Sequence, residues 1–468
     1  MSSKNLRKNY FRRSLIVVLT LMLVFTSAFV KVAPVYAGTN LAMKDGAILH
    51  AWCWNFNTIK NNMAAISDAG YTSIQTSPIS KCLVGDSGNM KLNDWYYHYQ
   101  PTDLTIGNYQ LGTEAEFQAM CTTAHQYGIK IIVDVVANHV TSDYNSISST
   151  VKNISGGAFH NMIQISDYNN RQQVTQYSLL GLYDFNTQNT NVQSAIKTYL
   201  AKCISDGADG FRFDAAKHIE LPTDASSYAS NFWPNVITND GAQFQYGEIL
   251  QDSITNSGQY ANYMNVTASD YGNSIRTAIC NNNVSAANLQ TYPYGVDTDK
   301  LVTWVESHDN YANDSTTSQW MTDEQITLAW AIVAGRDAGA PLFFDRPLGG
   351  GGTTSDNRFP GKNQIGTVGS ALYMGSKIKA INLFRNAMNG KTEYLRNPNS
   401  STQVLMIERG TKGMIIVNMS NYSYILNSVP TNLANNTYTD KITNSSKFTV
   451  SGGNISGTIP ARGVVVLY

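Results

Sequence analysis

The sequence predicts an α/β fold: a (β/α)8 TIM barrel with a subdomain inserted after the third strand, followed by a C-terminal antiparallel β domain. Three observations carry that expectation. Between Ala47 and Phe344, short apolar strands alternate with helical stretches about eight times. The alternation pauses between His139 and Thr187, where Ser, Asn and Gln dominate and no period is visible. From about Thr392 the helical period disappears, and apolar strands are separated by Asn, Gly and Ser turns. The expected organisation is a signal peptide over residues 1–37, barrel over 38–138, insertion over 139–187, barrel again over 188–386 and the β domain over 387–468.

Each element has its own signal. The run AILHAWCW (47–54) reads as a buried strand. Ile59, Met63 and Ile66 fall at helical spacing, and Gly70 stops that helix. A second strand over 72–76 leads into a long aromatic loop, Trp95 to Gln100. An amphipathic stretch from Glu114 ends near Gly128 and runs into KIIVDVV (130–136), a continuous apolar strand of the kind covered on both faces. Val192, Ile196, Leu200 and Ile204 mark a helix that Gly207 and Gly210 break before GFRFD (210–214). FQYG (244–247), a run over 262–266, LVTWV (301–305), a helix over 324–334 and APLFF (340–344) complete the barrel. QVLMIERG, GMIIVNMS, YSYILN, KFTVSG and GVVVLY read as strands of the β domain.

Composition narrows the function. Only 14% of the 468 residues are charged, while tyrosine numbers 27. That polar, weakly charged surface fits a secreted protein handling a neutral ligand. A basic segment (Lys4, Arg7, Lys8, Arg12, Arg13), an apolar run from Leu15 to Val30 and the small-residue site Val35-Tyr36-Ala37 read as a secretory signal cut after Ala37. Its removal, with Lys31, takes six basic residues from 33 and no acidic one, leaving 27 against 33 acidic. A mildly acidic chain without basic clusters is a poor nucleic-acid binder, and no later apolar run is long enough to span a bilayer. Cys53, Cys82, Cys121, Cys203 and Cys280 are scattered and show no CxxC spacing, which argues against a zinc site or a disulfide scaffold. Cys121 and Cys203 fall on apolar helix faces and read as small buried hydrophobes. A disulfide among the others stays open.

The chemistry sits at strand ends, where a TIM barrel carries its functional residues. In GFRFDAAKH a strand period of two puts Arg212 and Asp214 on one side and Phe211 and Phe213 on the other. An arginine this close favours an ionised, oriented carboxylate, which suits a nucleophile. From this stretch alone a purely structural ion pair fits equally well. Asn138 and His139 end the third strand, Glu248 the fifth, and Glu306, His308 and Asp309 the seventh. Asp214, Glu248 and Asp309 therefore converge on one mouth. Clustered carboxylates are costly unless neutralised or used. A divalent metal site or work on an acetal would use them. The neighbouring Arg212 disfavours direct metal binding, so glycoside cleavage fits better.

DVVANH (134–139), GFRFDAAKH (210–218), YGEI (246–249) and ESHDN (306–310) resemble the four signature regions of the α-amylase family of glycoside hydrolases, in order. The resemblance covers nearly all of the chain after the signal and is closest to the secreted Bacillus-type members. It implies a secreted, endo-acting hydrolase of internal α-1,4 bonds in starch and maltooligosaccharides, retaining configuration and acting as a monomer. Asp214 would be the nucleophile, Glu248 the general acid and base, and Asp309 the transition-state stabiliser, with Arg212 orienting Asp214. Tyr99, Gln100, His139, Lys217, His218 and His308 would contact sugar; Tyr96 and Trp54 are softer candidates. A Ca2+ ion would tie the insertion to the barrel through the side chains of Asn138 and Asp184 and main-chain oxygens of Thr175 and His218. Two other readings share the barrel. One is a transglycosylase or a cyclodextrin- or pullulan-degrading enzyme. The other is a silent glucan-binding protein, which would be expected to lack a catalytic carboxylate.

Overall fold

In the computed structural model, which describes residues 41–84, 90–292, 295–313, 317–352, 358–360 and 364–468, eight parallel strands close into a barrel. They are Ala47–His50, Tyr71–Gln75, Lys130–Val136, Gly210–Asp214, Phe244–Gly247, Asn265–Thr267, Leu301–Trp304 and Ala340–Phe344. Each pairs with its sequence neighbours, and the first and eighth close the ring. The expected signal peptide, residues 1–37, lies outside the described residues. Among the described residues no helix is long and apolar enough to cross a membrane.

Alternation within the strands sorts the side chains. Phe211 and Phe213 point out to the helices; Phe213 meets Trp233 edge-on at 5.4 Å. Ile48, Ile132, Phe244, Tyr246, Val302, Trp304, Ala340 and Leu342 point in and fill the lower barrel with Met43. Gly210 is a glycine because a Cβ there would stand 2.3 Å from the Phe244 carbonyl oxygen. Higher up, the inner positions become polar: His50, Gln75, Asp134 and Arg212 are all buried. The strand register aligns Arg212 with Asp134 on one side and Tyr246 on the other. An apolar plug thus supports a polar floor at the C-terminal mouth.

Several elements differ from the sequence expectation. The first strand ends at His50, not Trp54, because the chain turns through Cys53 at φ 61°. Trp54 is consequently buried against Tyr373 and is a core residue. The stretch read as an aromatic loop, Trp95 to Gln100, falls largely on a 3-10 helix, Leu92–Tyr99, and a three-stranded antiparallel sheet flanks it (Ser80–Cys82, Pro101–Asn108, Gly112–Thr113). These strands are short or irregular, so no period betrays them. The sixth barrel strand is three residues, Asn265–Thr267, shifted from the expected 262–266. All five cysteines are free thiols; Cys280 is exposed and the other four are buried.

The insertion is tied at its neck by a two-stranded sheet pairing His139–Val140 with Tyr183–Asp184. It carries two short helices, Ser149–Lys152 and Arg171–Gln176. The C-terminal region is a pair of four-stranded antiparallel sheets. In the first (Glu393–Arg396, Val404–Arg409, Gly413–Asn418, Gly463–Leu467) the last three strands are buried on both faces. Val404, Met406, Met414, Ile416, Val465 and Leu467 face the second sheet, while Leu405, Ile407, Ile415, Val417, Val464 and Val466 join the barrel core. That double burial explains the continuous apolar runs. Three buried arginines fasten this junction. Arg336 pairs with Glu393 at 2.7 Å, Arg409 with Asp337 at 2.8 Å, and Arg385 donates to the carbonyls of Arg336 and Gly339.

Candidate active site

Arg212 is the hub of the mouth. Its Nη1 donates to Asp134 Oδ1 and Oδ2 at 2.7 and 2.9 Å and to Asp214 Oδ1 at 2.7 Å. Its Nη2 lies 2.9 Å from Glu248 Oε2. One buried guanidinium thus holds carboxylates from three adjacent strands. Directly after Asp214 the backbone turns through Ala215 at φ 47°, in the left-handed region. That turn aims the Ala215 N–H at Glu248 Oε2, 3.0 Å away. Such a backbone conformation is costly for a residue with a Cβ and clusters at functional sites.

Asp309 enters from the seventh strand on a short helix, His308–Ala312, opened by a capping box between Ser307 and Asn310. Its Oδ2 lies 3.4 Å from His308 Nε2, and Asn313 donates to its Oδ1 at 2.8 Å. A buried bidentate pair, Glu306 with Arg346 at 2.7 Å for each contact, anchors the residues just before it. His308 stacks on Tyr99 with ring centres 5.1 Å apart and an interplanar angle of 12°. The Tyr99 hydroxyl donates to Asp134 Oδ2 at 3.0 Å.

Three carboxylates therefore share one cation, and Asp309 is a fourth carboxylate at the same mouth. Burial pushes Asp214 well above the ordinary carboxylate range, and the charges of Glu248 and Asp134 add to the rise. Asp134 is raised to about 6, burial again leading. Asp309 is raised to about 7 by burial and then by the Glu248 charge. It is the most open of the four, its side chain 35% exposed at the base of the cleft. Arg212 opposes each shift. It is divided among Asp134, Asp214 and Glu248, so its charge offsets the effect of burial on each only in part.

The cleft above this cluster has a volume of about 1110 Å³. Single small-ligand pockets run about 300–1,000 Å³, so it suits an extended ligand. Its walls combine neutral polar groups with aromatic and aliphatic faces, including Tyr99, Trp95, Leu180 and Leu250. The family described as "Alpha amylase, catalytic domain" matches residues 54–294. The chain belongs to the alpha-amylase family. An alpha-amylase of Butyrivibrio fibrisolvens is 43% identical over 471 residues, covering 92% of this chain and 48% of that protein. One from Clostridium acetobutylicum is 41% identical over 438 residues, covering 91% of this chain and 54% of that protein. The chain thus spans about half the length of these curated relatives. A solved mutant of alpha-amylase I from Eisenia fetida, in complex with maltohexaose, superposes with a TM-score of 0.74 at 20% identity, covering 90% of this chain and 97% of that one.

In this member of the alpha-amylase family, the other sequence-predicted residues fall around the same cleft. Tyr99, Gln100, His139, Lys217, His218 and His308 all line it. His139 donates from Nε2 to the Tyr99 carbonyl at 3.2 Å, so it braces the stacking tyrosine. Gln100 accepts from Thr141 Oγ1 at 3.1 Å. Lys217 reaches Asp252 at 3.2 Å, and His218 donates from Nδ1 to the Val174 carbonyl at 2.8 Å. Tyr96 sits on the rim, 43% exposed, with its ring centre 4.5 Å from that of Tyr97.

Sequence reasoning overlooked three contributors. Asp134 is the second partner of Arg212; a carboxylate inside an apolar strand demands a buried partner, and that signal was available. His50 is buried at the floor, its ring edge-on to His308 at 5.5 Å, and burial lowers its pKa to about 3. Leu179, Leu180 and Leu182 bring the insertion to the cleft, with Leu180 81% exposed.

The predicted calcium ligands come together in two pairs. Asn138 Nδ2 donates to Asp184 Oδ1 at 3.0 Å, and His218 meets the residue preceding Thr175. Asp184 is fully buried, and its only other side-chain partner is His160, with Nδ1 2.7 Å from Oδ2. Burial raises the Asp184 pKa well above normal and lowers that of His160. A buried carboxyl beside amide and main-chain oxygens fits a hard cation. Among the described residues no group of three His, Cys, Asp or Glu side chains gathers around one point. A cation here would depend on amide and main-chain oxygens.

Proposed function

We propose that the protein is an endo-acting α-amylase that hydrolyses internal α-1,4-glucosidic bonds of starch and maltooligosaccharides with retention of configuration. The observation that carries this reading is the pairing of Asp214 and Glu248 on the two Nη atoms of Arg212. A retaining glycosidase needs its two carboxyl groups about 5–5.5 Å apart, one to attack and one to protonate, and carboxylates sharing one guanidinium fit that spacing. Asp214 forms a bond to the anomeric carbon as the glycosidic C–O bond breaks, and protonated Glu248 gives its proton to the departing oxygen. Glu248 then takes a proton from water, which attacks the same carbon and frees Asp214. The Ala215 N–H and Arg212 receive the negative charge that appears on Glu248 between the two steps. Asp309 holds sugar hydroxyls beside the oxocarbenium-like centre, and Tyr99 offers its face to the ring. The maltohexaose in complex with the Eisenia fetida alpha-amylase I mutant is a ligand of this class.

NMR of the first products from soluble starch tests the reading. Linear maltooligosaccharides released as α-anomers are expected. Initial β-anomers would rule out retention, and cyclic products would point to a transglycosylase.

Residues 1–37 would export the chain as a monomer; a mature N-terminus at Gly38 and one chain mass by light scattering are expected. Asn138 and Asp184, with the main-chain oxygens of Thr175 and His218, would hold Ca2+, which supplies positive charge that fastens the insertion to the barrel. Chelation is then expected to lower the melting temperature by about 1–2 °C, an effect of about 1–2 kcal/mol. An unchanged melting curve at vanishing free calcium would remove the site.

A further inference from the structure

We infer that Arg171, on the inserted subdomain, is a positioning residue for the leaving-group side of the cleft, where it clamps the Lys217–Ile219 turn. The inference rests on the glycosidase reading above. Arg171 opens the short helix Arg171–Gln176, and its side chain is only 12% exposed. Its guanidinium spans the turn that follows Asp214. Nη1 donates to the Lys217 carbonyl at 2.6 Å and Nη2 to the Ile219 carbonyl at 3.3 Å. Nε and Nη2 grip Asp224 at 2.9–3.3 Å, and Asp224 Oδ2 also accepts from the Leu221 N–H at 2.8 Å. Nη2 further donates to the Tyr260 hydroxyl at 2.7 Å, which itself lies 2.6 Å from the Ile219 carbonyl oxygen and 3.1 Å from that of Lys217. Both carbonyls flanking His218 therefore end on one insertion side chain. Buried guanidinium groups with planar, multi-acceptor contacts of this kind are not replaceable by lysine.

The other end of the same turn touches the reacting groups. Ala215 N–H meets Glu248 Oε2, and the Lys217 N–H donates to the Glu248 carbonyl at 3.3 Å. Glu248 protonates the departing oxygen, so the cleft wall beside it, built from Ala215, Lys217 and His218, borders the path of the leaving glucan. This wall is tied at one end to the catalytic carboxylate and at the other to Arg171 and Tyr260. Without Arg171 the Tyr260 hydroxyl still meets both carbonyls, but the guanidinium's ties to the insertion helix and to Asp224 are lost. The sugars on the leaving side then lose their fixed wall, while the ring over Asp214 and Tyr99 does not.

The test compares two substrates in Arg171→Lys and Arg171→Met. Maltoheptaose fills both sides of the cleft; an aryl maltotrioside puts only a phenol on the leaving side. Misplacement of a positioning wall can cost up to about a hundredfold. Here kcat/KM for maltoheptaose is expected to fall about tenfold, and that for the aryl substrate less than about twofold. Equal losses on both substrates would show a merely structural role and overturn the inference. Hydrogen exchange of residues 215–221 provides an independent arm, with faster exchange expected in Arg171→Lys; unchanged exchange would overturn the clamp. Arg171→Lys retains a cation opposite Asp224, so it folds even where the methionine variant fails. If the unaltered protein cleaves neither substrate, the glycosidase reading fails with it, whereas the exchange result still decides the clamp.

Discussion

Replacing Asp214 by asparagine is expected to lower turnover on soluble starch by roughly four orders of magnitude while leaving the fold intact. The side chain keeps its shape, and its amide oxygen can still accept from Arg212 Nη1, which now lies 2.7 Å from Oδ1. What disappears is the nucleophile. Three carboxylates share one guanidinium, so removing Asp214 also relieves repulsion on Glu248 and Asp134. The melting temperature is therefore expected to stay level or rise slightly. Maltoheptaose should still bind, because the stacked Tyr99–His308 pair and the cleft walls are untouched. Calorimetric binding with turnover lost is the signature. Near-normal turnover in Asp214→Asn would remove Asp214 from the nucleophile role, and loss of binding together with turnover would indicate that the variant had not kept the cleft.

The parts of this site that could be read from the sequence are those governed by local period. GFRFD shows which residues face inward because a strand alternates with no freedom to do otherwise. KIIVDVV, FQYG and APLFF are strands over the expected residues for the same reason. The brace between Asp134 and Arg212 was hidden because its two ends lie 78 residues apart, joined only through strand register. The clamp from Arg171 was hidden more deeply. It lies in a polar stretch without period, and its carbonyl partners follow 46 and 48 residues later. The sharing of Arg212 was hidden because a motif displays charges but not their burial or their other partners. Side by side in the sequence, Arg212 and Asp214 look like a neutral pair; in the folded barrel the same cation also serves Asp134 and Glu248.

That sharing makes Arg212→Met the second large effect. Removing one partner from a buried ion network typically costs about 3–5 kcal/mol, because the charges left behind are uncompensated. Here Asp134, Asp214 and Glu248 would lose the guanidinium they share, so loss of activity and a large drop in the midpoint of urea denaturation are expected together. The pH dependence distinguishes this from a simple packing defect. Asp134 is raised to about 6 and Asp309 to about 7, against an ordinary aspartate value near 3.9. Above pH 4 the folded cluster thus holds protons that the unfolded chain has released. Its contribution to stability is fully present below that point and is lost as pH rises through 6 to 7. Arg212 opposes these shifts, so its removal drives them further up and steepens the loss. The deficit of Arg212→Met relative to the unaltered protein should be largest near pH 8 and shrink toward pH 5, where protonation removes the need for a cation. A deficit independent of pH would mean that Arg212 acts through packing alone, and a variant as stable as the unaltered protein at pH 8 would mean that the carboxylates find their compensation elsewhere.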